Sequence, residues 1–201
     1  MKGFLINVYN KSNLLDTGIF YPVAVKYRGH SHIDPLPFTP FCYGDHPENK
    51  TGLKGLEIGD ALIFHTTLFD SNETQRYIIG GMVVGSINLV KNLSSSTKER
   101  YTYNPHIFHN DEEATFYYNC KSLFPWQIRQ TRRILYLRPP LPFNKPLANA
   151  LDLNIQWKPE HTPYQQIAWS TRAVRKVSSD KVELLKQIAR RNYEEKERNH
   201  K

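Results

Sequence analysis

The sequence contains few cysteines and no long hydrophobic run. Cys42 and Cys120 are its only cysteines, and neither belongs to a CxxC pair. Two isolated cysteines exclude a disulfide framework and a cysteine-based zinc site, so we expect both to be free thiols. A membrane-spanning helix would need about 20 consecutive apolar residues, and a signal peptide would need a longer apolar segment after Met1. These absences predict a cytoplasmic protein with no membrane partner.

The sequence also lacks the common motifs of catalytic and phosphate-binding sites. It contains no GxxxxGK[ST], GxGxxG, GxSxG or HExxH pattern, which argues against P-loop, Rossmann, serine hydrolase and zincin proteins. Two histidine pairs, His30 with His32 and His106 with His109, have side chains that can bind metals. Because the spacing fixes no third and fourth ligand, we expect no metal and no cofactor.

Charge is the most informative bulk property. The chain has 27 basic and 19 acidic residues and a formal net charge of +8. Residues 121–138 contain five basic residues and no acidic one, and residues 172–201 contain ten basic and five acidic residues. Clustered lysines and arginines attract polyanions, so these two blocks predict DNA or RNA as a partner. For the second block, a solvated helix face is the alternative.

The length of the chain predicts one domain. A chain of 201 residues can bury one substantial core, and an aromatic content of 12% supplies large apolar side chains for it. We expect a single domain over residues 1–190 and a solvated helical tail over residues 191–201. The helix before the tail has a capping pattern, Asp180 with Glu183 three residues later. Its apolar stripe is formed by Val182, Leu185, Ile188 and Ala189.

Five segments rich in β-forming residues predict strands: residues 4–9, 20–27, 61–68, 76–87 and 133–137. The third and fourth are expected to form an antiparallel hairpin. Gly80 and Gly81 within the fourth segment are typical of a bulge or bend in a curling sheet.

The segments between these strands predict loops and one short helix. Residues 30–54 are rich in proline and histidine, which predicts a long ordered loop. Acidic residues after Asn110 favour a short helix over residues 110–119. Pro139 and Pro140 are expected to end the last strand, after which residues 139–163 would wrap the surface.

Several polar and aromatic residues lie where a ligand could bind. His65 and Thr66 are near the end of the predicted central strand, where a polar strand end could form a pocket floor, although a structural role is the alternative for His65. Trp126 precedes Arg129 and Arg132, and Trp169 precedes Arg172. An aromatic ring beside basic residues is typical of sites that hold an unpaired base, and a position in the core is the alternative for either tryptophan.

The order of these segments resembles a known family. The segments are FLINV at residues 4–8, LKGLEIGD at 53–60, LIFHTTL at 62–68, YIIG at 77–80 and VV at 83–84, followed by NPH at 104–106 and WSTR at 169–172. Together they resemble the nucleotide modification associated domain of the third type and, more distantly, the EVE, ASCH and YTH domains. The resemblance covers about residues 3–190. It implies an α+β, PUA-like fold, a curled β-sheet or small β-barrel with flanking helices and a C-terminal helix.

The resemblance also implies a function, the binding of nucleic acid or a nucleotide. A modified or flipped base would enter a pocket on the curled sheet. In this hypothesis His65, Thr66 and Asn104 bind the base edge, Trp126 or Trp169 stacks on the base, and the phosphates are held by Arg129, Arg132 and Arg172. The base, the choice between DNA and RNA, and the oligomeric state stay open.

Two other classes of function compete with this binding module, which we favour over an enzyme. An enzyme of the same fold, a nuclease or a nucleoside amidohydrolase, would draw its acid, base or metal ligands from His106, His109, Glu112 and Glu113. A protein-interaction module would instead meet its partner through the C-terminal helix.

Overall fold

A mixed β-sheet of eight strands organises the molecule. The computed structural model describes residues 1–8, 25–27, 30–32, 40–45, 52–69, 74–129, 132–133 and 135–199. Along the sheet the strands follow the order β12, β1, β5, β6, β8 and β4, with β11 also paired to β6 and β7 also paired to β8. These strands are β1 (Gly3–Asn7), β4 (Phe41–Asp45), β5 (Ala61–Phe69), β6 (Thr74–Val83), β7 (Ser86–Leu89), β8 (Thr115–Ser122), β11 (Tyr136–Pro142) and β12 (Arg175–Val177).

Two further pairs of short strands lie outside this sheet. They join β2 (Val25–Tyr27) to β3 (His30–His32) and β9 (Ile128–Arg129) to β10 (Arg132–Arg133). The helices are α1 (Ser95–Arg100), α2 (Pro105–Phe108), α3 (Lys145–Ala150), α4 (Pro163–Ser170) and α5 (Ser179–Asn199).

Strands β1 and β5 run parallel at the centre of the sheet, with Gly3 opposite Ala61 and Asn7 opposite His65. Both strands are nearly continuous apolar runs, which is typical of strands that are covered on both faces. Their side chains alternate between two hydrophobic clusters, so that Leu5 and Ile63 face one cluster while Phe4 and Phe64 face the other. The predictions of a buried first strand and of a central strand after Gly59 are confirmed.

Strands β5 and β6 form the expected antiparallel hairpin, and β6 contains a bulge. Phe64 pairs with Gly80 and His65 pairs with Ile78, so Ile79 is an extra residue on β6. A Cβ atom on Gly80 would lie 2.5 Å from the carbonyl oxygen of Leu135, so only glycine lets β11 approach β6 this closely. The bulge expected at these glycines is therefore confirmed.

The first cluster lies between the sheet and the later helices. It includes Leu147 of α3, Ile167 of α4, and Val182, Leu185 and Ala189 of α5. The second cluster covers the opposite face of the sheet, and a third, smaller one joins β4 and β8 to α2. Helix α5 thus docks on the sheet through the predicted stripe.

Four sequence predictions about secondary structure need correction. Residues 110–119 are not a helix, because β8 begins at Thr115 and pairs with β4 and β7; the local helix is α2, which Asn104 caps. Residues 30–54 are not one loop, since β3 and β4 lie within them. The segment 76–87 is two strands, β6 and β7.

The last correction concerns the prolines of β11. The strand continues through Pro139 and Pro140, because the pairing with β6 skips from Tyr136 to Leu141 and leaves both prolines outside the hydrogen-bond ladder.

The α+β class, the curled sheet with flanking helices and the C-terminal helix are as the resemblance implied. Within the described residues the sheet does not close, since β12 and β4 each pair on one side only. Among the described helices, none has the length and apolar character needed to cross a membrane.

Candidate functional site

A cleft of about 630 Å³ opens on the helix-covered side of the sheet, beside the start of β6. The beginning of β6, the residues that follow β11, and the first turn of α4 form its walls. This volume is within the range of small-ligand pockets. Its lining consists of Thr74, Gln75, Arg76, Phe143, Asn144, Thr162, Pro163, Tyr164, Gln165 and Ile167.

The guanidinium of Arg76 is fixed at the floor of this cleft. Arg76 is almost completely buried, and its Nη1 donates to Oγ1 of Thr67 at 2.9 Å while its Nη2 donates to Oδ1 of Asn7 at 2.7 Å. Nη2 also lies against Nδ1 of His65. These contacts join three neighbouring strands, so the orientation of the cation is set by the sheet.

His65 is fully buried beside this arginine. Burial lowers the pKa of the imidazole well below its usual 6.5, and the charge of Arg76 lowers it further. The ring is therefore neutral at physiological pH. Because arginine can only donate, Nδ1 of His65 must accept, and the proton of the neutral ring is on Nε2.

The Nε2–H donor of His65 has no hydrogen-bond partner among the described residues. A buried donor without a partner costs about 1–3 kcal/mol, so such groups commonly have a functional reason. The ring packs edge-on against Phe143, with 5.5 Å between centroids, and Phe143 is part of the cleft wall. His65 is not itself part of the cleft lining, but it contacts two residues that are, Arg76 and Phe143.

The first turn of α4 forms the opposite wall of the cleft in a rigid conformation. Oγ1 of Thr162 accepts from the backbone N–H of Gln165, and Oε1 of Gln165 accepts from the backbone N–H of Thr162. This capping box holds Tyr164, which is half-buried, at the rim. The cleft thus presents the ring of Tyr164, while Phe143 is almost completely buried in the other wall.

Thr66 and Asn104 do not join His65 in this cleft. Thr66 is on the opposite face of β5, where its hydroxyl donates to the carbonyl oxygen of Val8 at 2.8 Å. Asn104 is buried against the third cluster, where Oδ1 accepts from the N–H of His106 and Nδ2 lies 3.8 Å from Sγ of Cys42. Both side chains thus make internal contacts that stabilise local structure.

The two candidate tryptophans have different environments. Trp126 is half-buried against the first cluster, and its ring meets Phe124 with 5.6 Å between centroids. Its Nε1 is buried without a hydrogen-bond partner among the described residues. Trp169, at the end of α4, is 59% exposed and meets His161 edge to face at 4.8 Å. Only Trp169 therefore presents most of its surface to solvent.

The three candidate arginines lie at two places. Arg172 follows α4 and is exposed, close to Trp169. Arg129 and Arg132 are opposite each other in the pair formed by β9 and β10. The structure describes the backbone of these two residues, and their side chains lie outside the described part.

The residues proposed for an enzyme make ordinary structural contacts. Nδ1 of His106 lies 3.0 Å from Oδ2 of Asp111, both residues are buried, and the pair fastens the turn after α2. Glu113 pairs on the surface with Lys91 at 2.9 Å. Among the described residues no three His, Cys, Asp or Glu side chains come together as metal ligands would, and the pair of His30 and His32 lies outside the described side chains.

Sequence reasoning missed Arg76, Asn7, Thr67 and Phe143. A signal for three of them was present: Asn7, Thr67 and Arg76 are polar residues at the ends of three strands predicted to be apolar. Had the pairing of those strands been known, their clustering at one end of the sheet would have followed.

Comparisons with known proteins give the family of the chain. The structure of human THYN1 protein in complex with 5-methylcytosine-containing DNA is 10% identical, with a TM-score of 0.36 and coverage of 94% of this chain and 98% of that one. The DUF55 domain of human thymocyte nuclear protein 1 is 12% identical, with a TM-score of 0.39 and coverage of 93% and 98%. No curated protein sequence matches. The model of the nucleotide modification associated domain 3 family matches residues 23–192, most of the chain, and the protein therefore belongs to that family.

Proposed function

We propose that the protein is a nucleic-acid-binding module that takes a modified or extruded base into the cleft beside His65 and Arg76. The observation that carries the proposal is the Nε2–H donor of His65, which is buried, neutral and without a partner among the described residues. Membership in a family named for nucleotide modification supports it. The net charge of +8 suits a polyanionic ligand.

The chemistry of the cleft favours a base edge that presents acceptors. Both the neutral His65 ring at Nε2 and the guanidinium of Arg76 can only donate. Ring nitrogens and keto oxygens of an unpaired base are suitable acceptors, and they become accessible when the base leaves the stack. Tyr164, half-buried at the rim, then provides aromatic surface for a face of the base.

Phosphate contacts would come from the basic residues outside the cleft. Arg172 is exposed near the end of α4, and Arg129 and Arg132 are within the first basic block. Thr66 and Asn104 have no part in this proposal, because their polar groups already make internal bonds.

The test is a binding series with single-stranded 9-mers of DNA and RNA. Each carries A, C, G, T or U, 5-methylcytosine or N6-methyladenine at its centre, and affinity is measured by fluorescence anisotropy. We expect His65→Phe, which removes the donor at similar size, to weaken the best ligand about tenfold, as loss of one hydrogen bond would. Tyr164→Ala, at the rim of the cleft, provides a second variant that leaves the core untouched.

His109→Phe is the matched control, since His109 lies after α2 and away from the cleft. Melting curves confirm that each variant is folded. Equal affinity of the wild type, the His65 variant and the Tyr164 variant for every oligonucleotide would refute the proposal.

A further inference from the structure

Helix α4 carries a second aromatic surface beyond the cleft. Trp169 is among the few large apolar residues that are exposed in the described structure, and it is five positions after Tyr164 on the same helix. A smaller cleft of about 140 Å³ lies beside it. Its lining consists of Ile155, Gln156, Lys158, His161, Gln166, Trp169 and Ser170.

The surroundings of Trp169 are held in place by a buried amide. Oε1 of Gln166 accepts from the N–H of Lys158 at 2.5 Å, and its Nε2 donates to the carbonyl oxygens of Lys158 at 3.0 Å and His161 at 2.8 Å. These bonds fix the segment that places His161 against Trp169. The exposed ring is thus supported by a rigid neighbour, which lowers the entropy lost when a ligand stacks on it.

Charge around this surface favours a polyanion. Lys158 is exposed and lines the smaller cleft together with Trp169, and Arg172 is exposed three residues after Trp169. Glu160 is the one acidic residue between positions 155 and 175. An exposed tryptophan beside basic side chains is the arrangement by which proteins hold unpaired bases in single strands.

The spacing along α4 constrains the ligand. Five helical residues separate Tyr164 and Trp169 by about 7.5 Å along the axis and by about 140° around it. Two neighbouring bases that stay stacked are about 3.4 Å apart, so they cannot occupy both positions. A ligand that occupies both positions must therefore be a strand that passes around α4.

We infer that Trp169 forms a second base site, so that the protein engages a single-stranded segment of more than one nucleotide. One base enters the cleft at Tyr164, the strand crosses α4, and another base of the same strand stacks on Trp169 with Lys158 and Arg172 near the phosphates. This inference rests on the proposed function, because it assumes a base in the cleft. A duplex cannot satisfy it, since both bases must be unpaired.

A length series tests the inference. The same set of bases is offered as mononucleotides and at the centre of single strands of three, five and nine nucleotides, to the wild type and to Trp169→Ala. We expect Trp169→Ala to leave mononucleotide affinity unchanged and to weaken five- and nine-nucleotide strands roughly 5- to 150-fold, as loss of one stacked base would. Phe108→Ala removes another exposed aromatic, at the end of α2, and should change nothing.

Each other outcome has a definite meaning. Unchanged affinity of Trp169→Ala for all strands, or equal loss for mononucleotides and long strands, overturns the second site. Tyr164→Ala, by contrast, should weaken every length that includes the recognised base. If Tyr164→Ala has no effect while Trp169→Ala weakens long strands, the proposed base cleft is wrong and Trp169 is a stacking site on its own.

Discussion

The hydrogen bond from Nη2 of Arg76 to Nδ1 of His65 fixes both the charge and the tautomer of a buried histidine. A protonated His65 would be a buried cation in contact with the Arg76 cation, so the neutral ring is strongly preferred. Asn7 and Thr67 in turn hold the guanidinium of Arg76, because their side-chain oxygens accept hydrogen bonds from it. The donor at Nε2 is therefore present without a change of protonation when a ligand arrives.

We predict that the free energy of unfolding falls as the pH drops below about 6.5. The pKa of His65 is lowered in the folded state, so the unfolded chain takes up a proton near pH 6.5 while the folded chain does not until well below that value. Unfolding therefore becomes easier across this window. Melting temperatures between pH 8 and pH 5 should show the slope in the wild type and a smaller slope in His65→Phe; equal slopes in the two proteins would contradict the prediction.

We predict that Leu185→Ala destabilises the fold by roughly 2–5 kcal/mol, because this side chain is fully buried in the first cluster and its removal leaves a cavity. Leu184→Ala is the matched control at the preceding position of α5, where the side chain is half-buried and the loss of stability should be smaller. Urea titrations give both values. Equal losses would mean that α5 does not dock through its predicted stripe.

We predict that a chain ending at Tyr193 keeps its stability and its affinity for nucleic acid. Residues 194–199 are exposed, and the deletion removes three acidic and three basic residues from the sequence. The ion pair between Arg190 and Glu194 is on the surface, where such pairs contribute about 0–1 kcal/mol. A large fall in melting temperature or in affinity would show that the proposed domain limit at residue 190 is misplaced.

We predict that affinity for single strands falls as salt rises, and that replacing Arg129 and Arg132 by alanine weakens all sequences about equally. Phosphate contacts release counterions and carry no sequence information, so the double variant should also show a shallower salt dependence. Lys91→Ala is the control, since Lys91 pairs with Glu113 outside both basic blocks. An unchanged salt slope in the double variant would assign these arginines to another role.

The sequence was most informative where one physical signal dominated. Strands β1 and β5 each contain a run of apolar residues, and α5 combines an apolar stripe with an acidic first turn. All three elements were therefore predicted. The start of α5 was not predicted correctly. The helix begins at Ser179, and its first accepting carbonyl is that of Ser178, which accepts from the N–H of Val182, whereas the sequence indicated a cap at Asp180. Such end effects depend on the chain before the helix.

The site was harder to predict because it depends on pairing between distant segments. Asn7, His65 and Arg76 meet through the registers of β1, β5 and β6, and nothing local to any of them indicates the others. Residues 115–119 were likewise misassigned, since their acidic neighbours favour a helix cap while pairing with β4 and β7 stabilises a strand. Tertiary contacts overrode the local pattern in both cases.

The extra residue in β6 determines which chemical groups meet at the cleft. Before the bulge, Arg76 shares a face with Thr67 and His65; after it, Val83 shares a face with Ala61. If Ile79 instead paired with His65 in an unbroken ladder, Arg76 would lie opposite Leu68 and face the second cluster. The bulge is thus as much a determinant of specificity as the identity of the residues, because regular pairing of the same two strands would exchange a cationic cleft for an apolar one while leaving every residue of the site in the chain.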